Sequence, residues 1–310
     1  MGGTTDGGVH QALWQPAFVC LKLPGDIPSH DTLNRVTSAL DPAEMERGSA
    51  ERVVSIARLT AGAVVAIDGK ALCGTREAGK KTLVSAWVSA NNLMLVQREV
   101  DDKSNEITAI PKLLAALELG GTVVTIDAMG CQRSIAEKIV ANNADYILAV
   151  KENQGHFLEQ IKDSSQMLTA DAVAEQIDYG HGRVKQRWCS VIADLSLVEK
   201  ATEWASLQRL VRIESMRYRK VPGKIETEIC YYITSLKPDA ERLNRAIRQR
   251  WSIENRLHWA LDVLFGEDLD RKRAGNAAQN FSLLNRIALN LLKQDKTCKL
   301  GIKGKRLKAG

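Results

Sequence analysis

The chain has 310 residues, of which 45% are hydrophobic and 26% charged, and its formal net charge is +6. This composition is ordinary for a globular protein with a sizeable core, and no apolar run reaches the roughly 20 residues that a membrane helix requires. The six cysteines include no CxxC pair, which disfavours a zinc knuckle or a disulfide framework. The N-terminus lacks the basic start and long apolar segment of a secretory signal, so we expect a cytoplasmic protein.

The first residues of the chain divide into an irregular part and a helical part. Residues 1–27 show little hydrophobic periodicity and are predicted to be disordered. Residues 28–60 predict a helical N-terminal remnant in two pieces, separated just before Pro42. Ser29 or Asp31 is expected to cap the first piece, because side-chain oxygens of these types accept hydrogen bonds from the free N–H groups of a helix start.

The next ninety residues alternate between strands and helices. Three apolar or alternating segments joined by short turns predict an antiparallel meander, and two further strands each follow a predicted helix. Strands reached through helical crossovers are expected to run parallel. The order β-β-β-α-β-α-β therefore predicts an α/β fold, a mixed sheet flanked by helices. The strand segments are AVVAIDG (63–69), TLVSAWVSA (82–90), LMLVQREV (93–100), GTVVTIDA (121–128) and DYILAVK (145–151).

After the fifth strand the pattern is less regular. Residues 157–177 predict a helix, and β-branched and aromatic alternation between about 180 and 236 predicts a strand-rich insertion. Residues 239–265 predict one long helix and residues 275–293 another. From Lys296 onward the chain holds six Lys or Arg residues and no acid. This basic tail is interpreted either as a disordered, solubilising end or as a non-specific binder of phosphate backbones.

Two of the buried-looking strands each deliver one carboxylate. The first runs into Asp68 and the fourth into Asp127. If these strands are parallel neighbours, the two side chains lie side by side, because adjacent strands are about 4.8 Å apart. Two such carboxylates repel each other unless one holds a proton. A divalent cation such as Mg²⁺ removes that repulsion, and the strand ends therefore predict a metal site.

The long late helix offers a third acid, Glu254. Arg250, Glu254 and His258 are spaced by four and share one helix face, whereas Trp251, Leu257 and Leu261 mark another face that is expected to pack on the sheet. The polar face is consistent with the edge of a site and equally with a solvated surface that carries an Arg–Glu pair. Core packing is the expected role of Trp251 and Trp259, with stacking on an extruded base as the alternative, and Cys73 and Cys131 are assigned to packing.

These motifs resemble the DDE transposases of bacterial insertion sequences, specifically the H-repeat-associated, ISAs-type group. The resemblance covers about residues 28–295. It rests on AIDGKAL, DKSNEITAIPKLL, GTVVTIDAMGCQ, IAEKIV, DYILAVKENQ, GHGRVKQR, YYITSL, RQRWSIENRLHWALDVLFGED and RKRAGNAAQN.

The resemblance implies an RNase H-like catalytic domain over residues 61–295, in which Asp68, Asp127 and Glu254 are the catalytic and metal-binding acids. It implies two Mg²⁺ ions, for which Mn²⁺ can substitute, and metal-dependent cleavage followed by strand transfer at the element's ends. The implied partners are double-stranded DNA, as terminal repeats and as target, and a second copy of the chain on paired ends. The implied location is the bacterial cytoplasm, at the nucleoid when DNA is bound.

Related transposases carry a tyrosine-arginine-glutamate-lysine signature that grips DNA phosphates. Arg250 matches its arginine, but Ile247 and Leu261 stand where the tyrosine and lysine are expected. His258, Lys151 and Arg271 are candidates to replace the missing lysine, with an ordinary surface cation as the alternative for each. In GHGR, His181 and Arg183 are candidates for phosphate contact, with a structural turn as the alternative.

The start of the chain departs from the resemblance. Similar proteins begin with a further helical segment, and MGGTTDGGVHQALWQPAFV does not look like that segment. We therefore expect a truncated or frame-shifted copy. Three functions stay open at this point: an active transposase, an inactive copy that only binds DNA, and an RNase H-like nuclease that cuts without joining. The absence of GxGxxG and GxxxxGK motifs disfavours a nucleotide-binding metabolic enzyme.

Overall fold

The computed structural model describes residues 28–56, 59–72, 81–100, 105–180, 183–219, 225–272 and 274–309. The predictions made for residues 1–27, for Cys73 and for His181 lie outside this described part. Within it, no helix combines the length and the apolar character needed to cross a bilayer.

Two short helices precede the sheet, as predicted. They are α1 (His30–Ala39) and α2 (Pro42–Ile56). The hydroxyl of Ser29 accepts a hydrogen bond from the N–H of Thr32 at 3.2 Å, which confirms Ser29 as a cap of α1. Asp41 accepts from the N–H of Ala43 at 2.9 Å. Side-chain caps of this kind satisfy N–H groups that have no partner within the helix.

The first five strands form the predicted mixed sheet. β1 pairs antiparallel with β2, and β2 with β3. β1 also pairs in parallel with β4, and β4 with β5, because helices return the chain to the same edge before each of these strands. The elements are β1 (Val64–Ala71), β2 (Thr82–Val88), β3 (Leu93–Glu99), α3 (Glu106–Ala115), β4 (Val123–Ile126), α4 (Arg133–Ala141) and β5 (Asp145–Val150).

Four further strands extend this sheet. Among the described residues the strand order is β3-β2-β1-β4-β5-β9-β8-β7-β6. The prediction of a strand-rich segment is confirmed, and its last strand pairs antiparallel with β5, so that the two parts form one continuous sheet. The added strands are β6 (Ala172–Gly180), β7 (Arg183–Ile192), β8 (Arg209–Arg219) and β9 (Ile225–Thr234).

The helix predicted for residues 157–177 is wrong in its second half. Helix α5 (Gly155–Met167) ends ten residues earlier, and β6 begins at Ala172. β6 pairs with β7 from Ala172 to Gly180 without interruption. The Ala, Glu and Gln residues of this segment favour a helix only weakly, by tenths of a kcal/mol each, roughly. A complete hydrogen-bonded ladder outweighs that preference.

Helices cover both faces of the sheet, because successive residues of a strand point to opposite sides. Val65 and Ile67 of β1 face a core shared with α3, α4 and α5. Val64 faces α6 (Ala240–Arg250) on the opposite side. On that same side Ala66 packs with the helical segment that follows α6 and with α8 (Ala277–Gln294). The sheet is thus the middle layer of three.

The C-terminal tail is structured where the structure describes it. Residues Ile302–Ala309 form helix α9, so the interpretation of a disordered tail is wrong for these residues. The Lys305 ammonium donates to the carbonyl of Leu292 at 3.1 Å, and the Arg306 guanidinium lies 4.9 Å from the ring centre of Phe265. Basic side chains that were expected to remain solvated therefore attach the tail to the body.

Candidate active site

The parallel pair β1–β4 carries the two aspartates to one edge of the sheet. The last parallel register pair is Ile67 with Ile126, and the next residue of each strand is Asp68 or Asp127. The predicted adjacency of these strands is confirmed. In one respect the prediction is wrong, because β1 does not end at Asp68. It continues to Ala71 by pairing with β2.

Asp127 is held by the backbone that follows it. Its carboxylate accepts hydrogen bonds from the N–H groups of Met129 at 3.1 Å and Gly130 at 3.4 Å. It thereby caps the short 3₁₀ helix Ala128–Gly130. These bonds fix the carboxylate at the strand end, where a rotating side chain would otherwise sample several positions.

Asp68 is partly buried, with 13% of its side chain exposed, and several charged groups lie near it. Burial raises its pKa to about 7, the Arg250 guanidinium opposes that rise, and the charges of Asp127, Glu254 and Glu106 add to it. The three predicted acids therefore share one electrostatic environment. Glu106 was missed in the sequence, where it is one residue of a helical pattern. Its carboxyl group lies against the Cα of Gly69, where there is no room for a Cβ atom.

His258 faces Asp68, with its Nδ1 atom 3.6 Å from Asp68 Oδ2. Burial, and then the positive charges of Arg286 and Lys70, lower the pKa of His258 to about 3. The imidazole is therefore neutral near pH 7, and the contact is not an ion pair there. His258 can donate a hydrogen bond to a carboxylate or a phosphate, but it does not replace the charge of the missing signature lysine.

Glu254 lies on a π-helix, not on the single long α-helix predicted for residues 239–265. The helical path consists of α6, the π-helix Ile253–His258 and α7 (Trp259–Leu264). The N–H of Trp259 donates to the carbonyl of Glu254, five residues earlier. Such segments contain one residue more than an α-helix and are frequent at functional sites. Glu254 itself is exposed.

A serine cluster holds the junction between α6 and the π-helix. The Ser89 hydroxyl donates to the carbonyl of Gln249 at 3.1 Å, near the helix break. Ser252 accepts from the buried indole N–H of Trp87 at 3.0 Å and lies 2.9 Å from the Ser89 hydroxyl. The break therefore has specific partners on β2 and its following turn. Ser252 inside a helical pattern was the signal for it in the sequence.

The other predicted DNA-binding residues lie at several places. Lys151 is exposed and directly follows β5, at the same edge of the sheet as Asp127. Arg271 is exposed beyond the short helix Glu267–Leu269. Arg183 begins β7. The DNA contacts predicted for these residues therefore stay predictions.

The packing predictions for the tryptophans and cysteines near the acids are confirmed only in part. Trp251 is 40% exposed and Trp259 54% exposed, so the predicted core packing of both is wrong. The π-helix alters the phase of the apolar face, and Leu257 and Leu261 are buried as predicted while Trp251 is not. Cys131 is buried as predicted, and burial raises the pKa of its thiol to about 12.

A buried ionic network anchors β1 two residues beyond Asp68. The Lys70 ammonium pairs with Asp262 and, at 2.8 Å, with Glu267. Glu267 also accepts from Arg286 and Ser282, each at 2.7 Å. The network links β1 to α7 and α8 on the side that Asp68 faces. No local sequence pattern indicates this network, because Lys70 is 192 residues from Asp262 and 197 residues from Glu267.

The donor chemistry of this edge fits a hard divalent cation. Carboxylate oxygens are the ligands that Mg²⁺ and similar ions prefer, and repulsion around a buried Asp68 is what such an ion relieves. In the part of the chain that the structure describes, however, no three His, Cys, Asp or Glu side chains are close enough together to hold a metal ion. Asp127 and Glu254 both raise the pKa of Asp68, but the three acids have to approach further to share an ion.

The protein is therefore an α/β protein with a mixed sheet flanked by helices. Acidic side chains lie at the edge of its central parallel strands. The family described as "Transposase DDE domain" matches residues 61–291. The chain belongs to this family.

Several bacterial proteins resemble the chain along most of its length. It is 39% identical to "Putative transposase YncI" of Escherichia coli O157:H7, over 93% of this chain and 77% of that protein. It is 37% identical to "H repeat-associated putative transposase YhhI" of Escherichia coli K12, over 93% and 80%. Among solved structures, the sugar N-methyltransferase KedS8 reaches a TM-score of only 0.19 at 11% identity and carries no argument about fold or function.

Proposed function

We propose that this protein is a DNA transposase that cuts and joins DNA at insertion-sequence ends through Asp68, Asp127 and Glu254. The observation that carries the proposal is the electrostatic environment of Asp68, whose pKa is raised by burial and by the charges of both other acids. Asp68 and Asp127, 59 residues apart in the sequence, follow the last register pair of two neighbouring parallel strands, and Glu254, 127 residues further on, is near enough to raise the pKa of Asp68. The family match and the named relatives support the same activity.

The proposed catalytic domain is residues 61–295, with an RNase H-like core and β6–β9 as its insertion. Residues 28–60 form its N-terminal helical segment, and residues 296–310 its basic tail. Transposase DDE domains generally use divalent metal ions, and we assign two Mg²⁺ ions to the three acids, with Mn²⁺ as a substitute. The bound ions supply activation of the attacking oxygen and stabilisation of the leaving 3′ oxygen.

The chain's own residues prepare this chemistry. Backbone N–H groups hold the Asp127 carboxylate in place, and neutral His258 lies beside Asp68, with its Nδ1 atom 3.6 Å from the carboxylate. Arg250 stabilises the charged form of Asp68 and is placed to balance the charge of a nearby phosphate. Because Asp68 is largely buried, competing water is kept from one side of the site.

The proposed partner is double-stranded DNA, both the element's ends and the target, bound by a homodimer on paired ends in the bacterial cytoplasm. Lys151, Arg271, His181 and Arg183 remain proposed DNA contacts. Lys151 is the best placed of the described ones, since β5 brings it to the same edge of the sheet as Asp127.

Cleavage and strand-transfer assays test the proposal. Purified protein is incubated with Mg²⁺ and a labelled duplex carrying the element's ends, beside Asp127→Asn and Glu254→Gln. Asp163→Asn, a change of the same type on the exposed surface of α5, serves as the matched control. We expect joined products from the wild type and the control, and none from the two site variants.

Two other outcomes contradict the proposal in different ways. Cut but unjoined DNA would indicate a nuclease of the same fold. DNA binding without any cut, equal in all four proteins, would indicate an inactive copy whose acids no longer act.

A further inference from the structure

A large groove adjoins the acidic site, and apart from Glu254 its residues have no part in the chemistry proposed above. It has a volume of about 1180 Å³ and lies between the β6–β9 part of the sheet, the end of α6 and the π-helix. Glu254 is one of the residues that line it. Anything bound along the groove therefore reaches the third acid.

The lining of the groove is strongly basic. Six of its side chains are cationic and three are acidic. One of the acids, Asp178, is already paired with Arg248. The cations are Lys185, Arg187, Arg217, Arg245, Arg248 and Arg256. This excess of positive charge favours an anionic ligand.

Three of these cations form a cluster on one face of the sheet. Lys185 lies directly opposite Arg217 in the β7–β8 ladder, and Arg187 lies two residues further along β7 on the same face. Arg217 has a partner in Glu226 at 3.4 Å. Neighbouring strand positions of like charge destabilise a sheet unless something neutralises them.

Arg187 is the most unusual member of this cluster. Only 5% of it is exposed, and its Nη1 atom finds no hydrogen-bond partner among the described residues. Burial lowers the pKa of Arg187. Burial together with Arg187 and Arg217 lowers the pKa of Lys185. A buried guanidinium with a free donor is costly in an isolated fold, and an anion on that donor offsets the cost.

We propose that this groove binds the backbone of DNA, with a phosphodiester group held by Arg187, Lys185 and Arg217 on the path to Glu254. The inference rests on the proposed function for the identity of its ligand. It adds a binding surface that the three acids do not require. Phosphate is the fitting anion because planar guanidinium groups bind it through two parallel hydrogen bonds.

Salt-dependent DNA binding tests the groove separately from catalysis. The full chain, in EDTA to prevent cleavage, is titrated against a fluorescent duplex at several salt concentrations. Arg187→Gln and Lys185→Gln are compared with Arg212→Gln. This control removes the same charge from the opposite face of β8, where Arg212 pairs with Glu214 at 2.6 Å.

We expect each groove variant to bind about tenfold more weakly and to lower the slope of log K against log salt by about one. The control should keep both the wild-type affinity and slope. Thermal unfolding of Arg187→Gln should match or exceed that of the wild type, because the change removes an unpaired buried charge. A loss of binding caused by misfolding would instead appear together with a lower melting temperature. If Arg187→Gln misfolds, Lys185→Gln tests the groove independently.

The outcomes separate this inference from the proposed function. If the wild type binds DNA and both groove variants bind it equally well with an unchanged salt slope, the groove assignment is overturned while the transposase proposal stands. If the wild type does not bind DNA at all, both fail. If inorganic phosphate raises the melting temperature of the wild type but not of Arg187→Gln, while DNA affinity is unchanged by either substitution, the site takes a small phosphate and the DNA assignment is overturned.

Discussion

Replacing Glu267 with Gln removes the centre of the ionic network that fixes β1 near Asp68. Glu267 is 4% exposed. Burial alone would raise its pKa, but Arg286 and Lys70 outweigh burial and lower it to about 2, from an ordinary value of 4.5. A difference of this size corresponds to about 3 kcal/mol of stability. Loss of one partner of a buried ion pair is known to cost a similar amount, about 3–5 kcal/mol.

Urea denaturation at pH 7 measures the effect. We expect Glu267→Gln to lower the free energy of unfolding by about 3 kcal/mol, because Arg286 loses its carboxylate partner and Lys70 keeps only Asp262 and the more exposed Asp268 among the described residues. Asp268→Asn is the matched control. Its side chain is 39% exposed and lies 3.6 Å from Lys70, so its loss should cost less than about 1 kcal/mol.

The pH dependence provides a second test of the same reasoning. The folded pKa of Glu267 is below its unfolded value, so its contribution is complete above pH 4.5 and is lost as the pH falls through 2. The stability difference between wild type and variant should therefore shrink across this acid window. A difference under about 1 kcal/mol at pH 7, or one that does not change with acid, would refute the account of the network.

Three further changes test other parts of the structure. Ser252→Ala leaves the indole N–H of buried Trp87 without its acceptor and should cost about 1–3 kcal/mol in urea denaturation; equal stability would mean that water replaces the serine. Gly130→Ala places a Cβ atom against the side chains of Ile126 and Ile110, and overpacking of this kind should cost about 1–3 kcal/mol, seen as a lower melting temperature. Lys293 has its pKa lowered to about 7 from 10.5 by burial and Arg256. The unfolded chain thus binds more protons between these values, and stability should rise with pH from 7 to 10.5. Lys293→Met should flatten that rise, and an unchanged pH profile would show that the ammonium keeps its charge.

The central strand pair could be predicted because several local signals agree. The segments around Asp68 and Asp127 are apolar on both faces, and a predicted helix comes directly before the second segment, which favours a parallel return beside the first strand. The β6 strand could not be predicted, because its Ala, Glu and Gln residues favour a helix locally. It forms by pairing with β7, a partner that no local pattern shows.

The details of the site depended on contacts distant in the sequence. Helical periodicity correctly placed Leu257 in the core but could not show the π-helix, which depends on Ser89 and Trp87 more than 150 residues away. The same periodicity grouped His258 with the cations. Its burial beside Arg286 and Lys70, which leaves it neutral, exists only in the folded chain.

The π-helix allows the chain to lose one residue at this place without disrupting the rest of the fold. Loss of one codon between Ile253 and His258 can be absorbed, because the segment then returns to α-helical hydrogen bonding with both flanking helices still in phase. Loss of one codon within α7 turns every later side chain by about 100°, which takes Asp262 away from Lys70. Thermal unfolding of chains lacking Asn255 or Ala260 would compare the two, and the first should lose the position of Glu254 while keeping most of its stability.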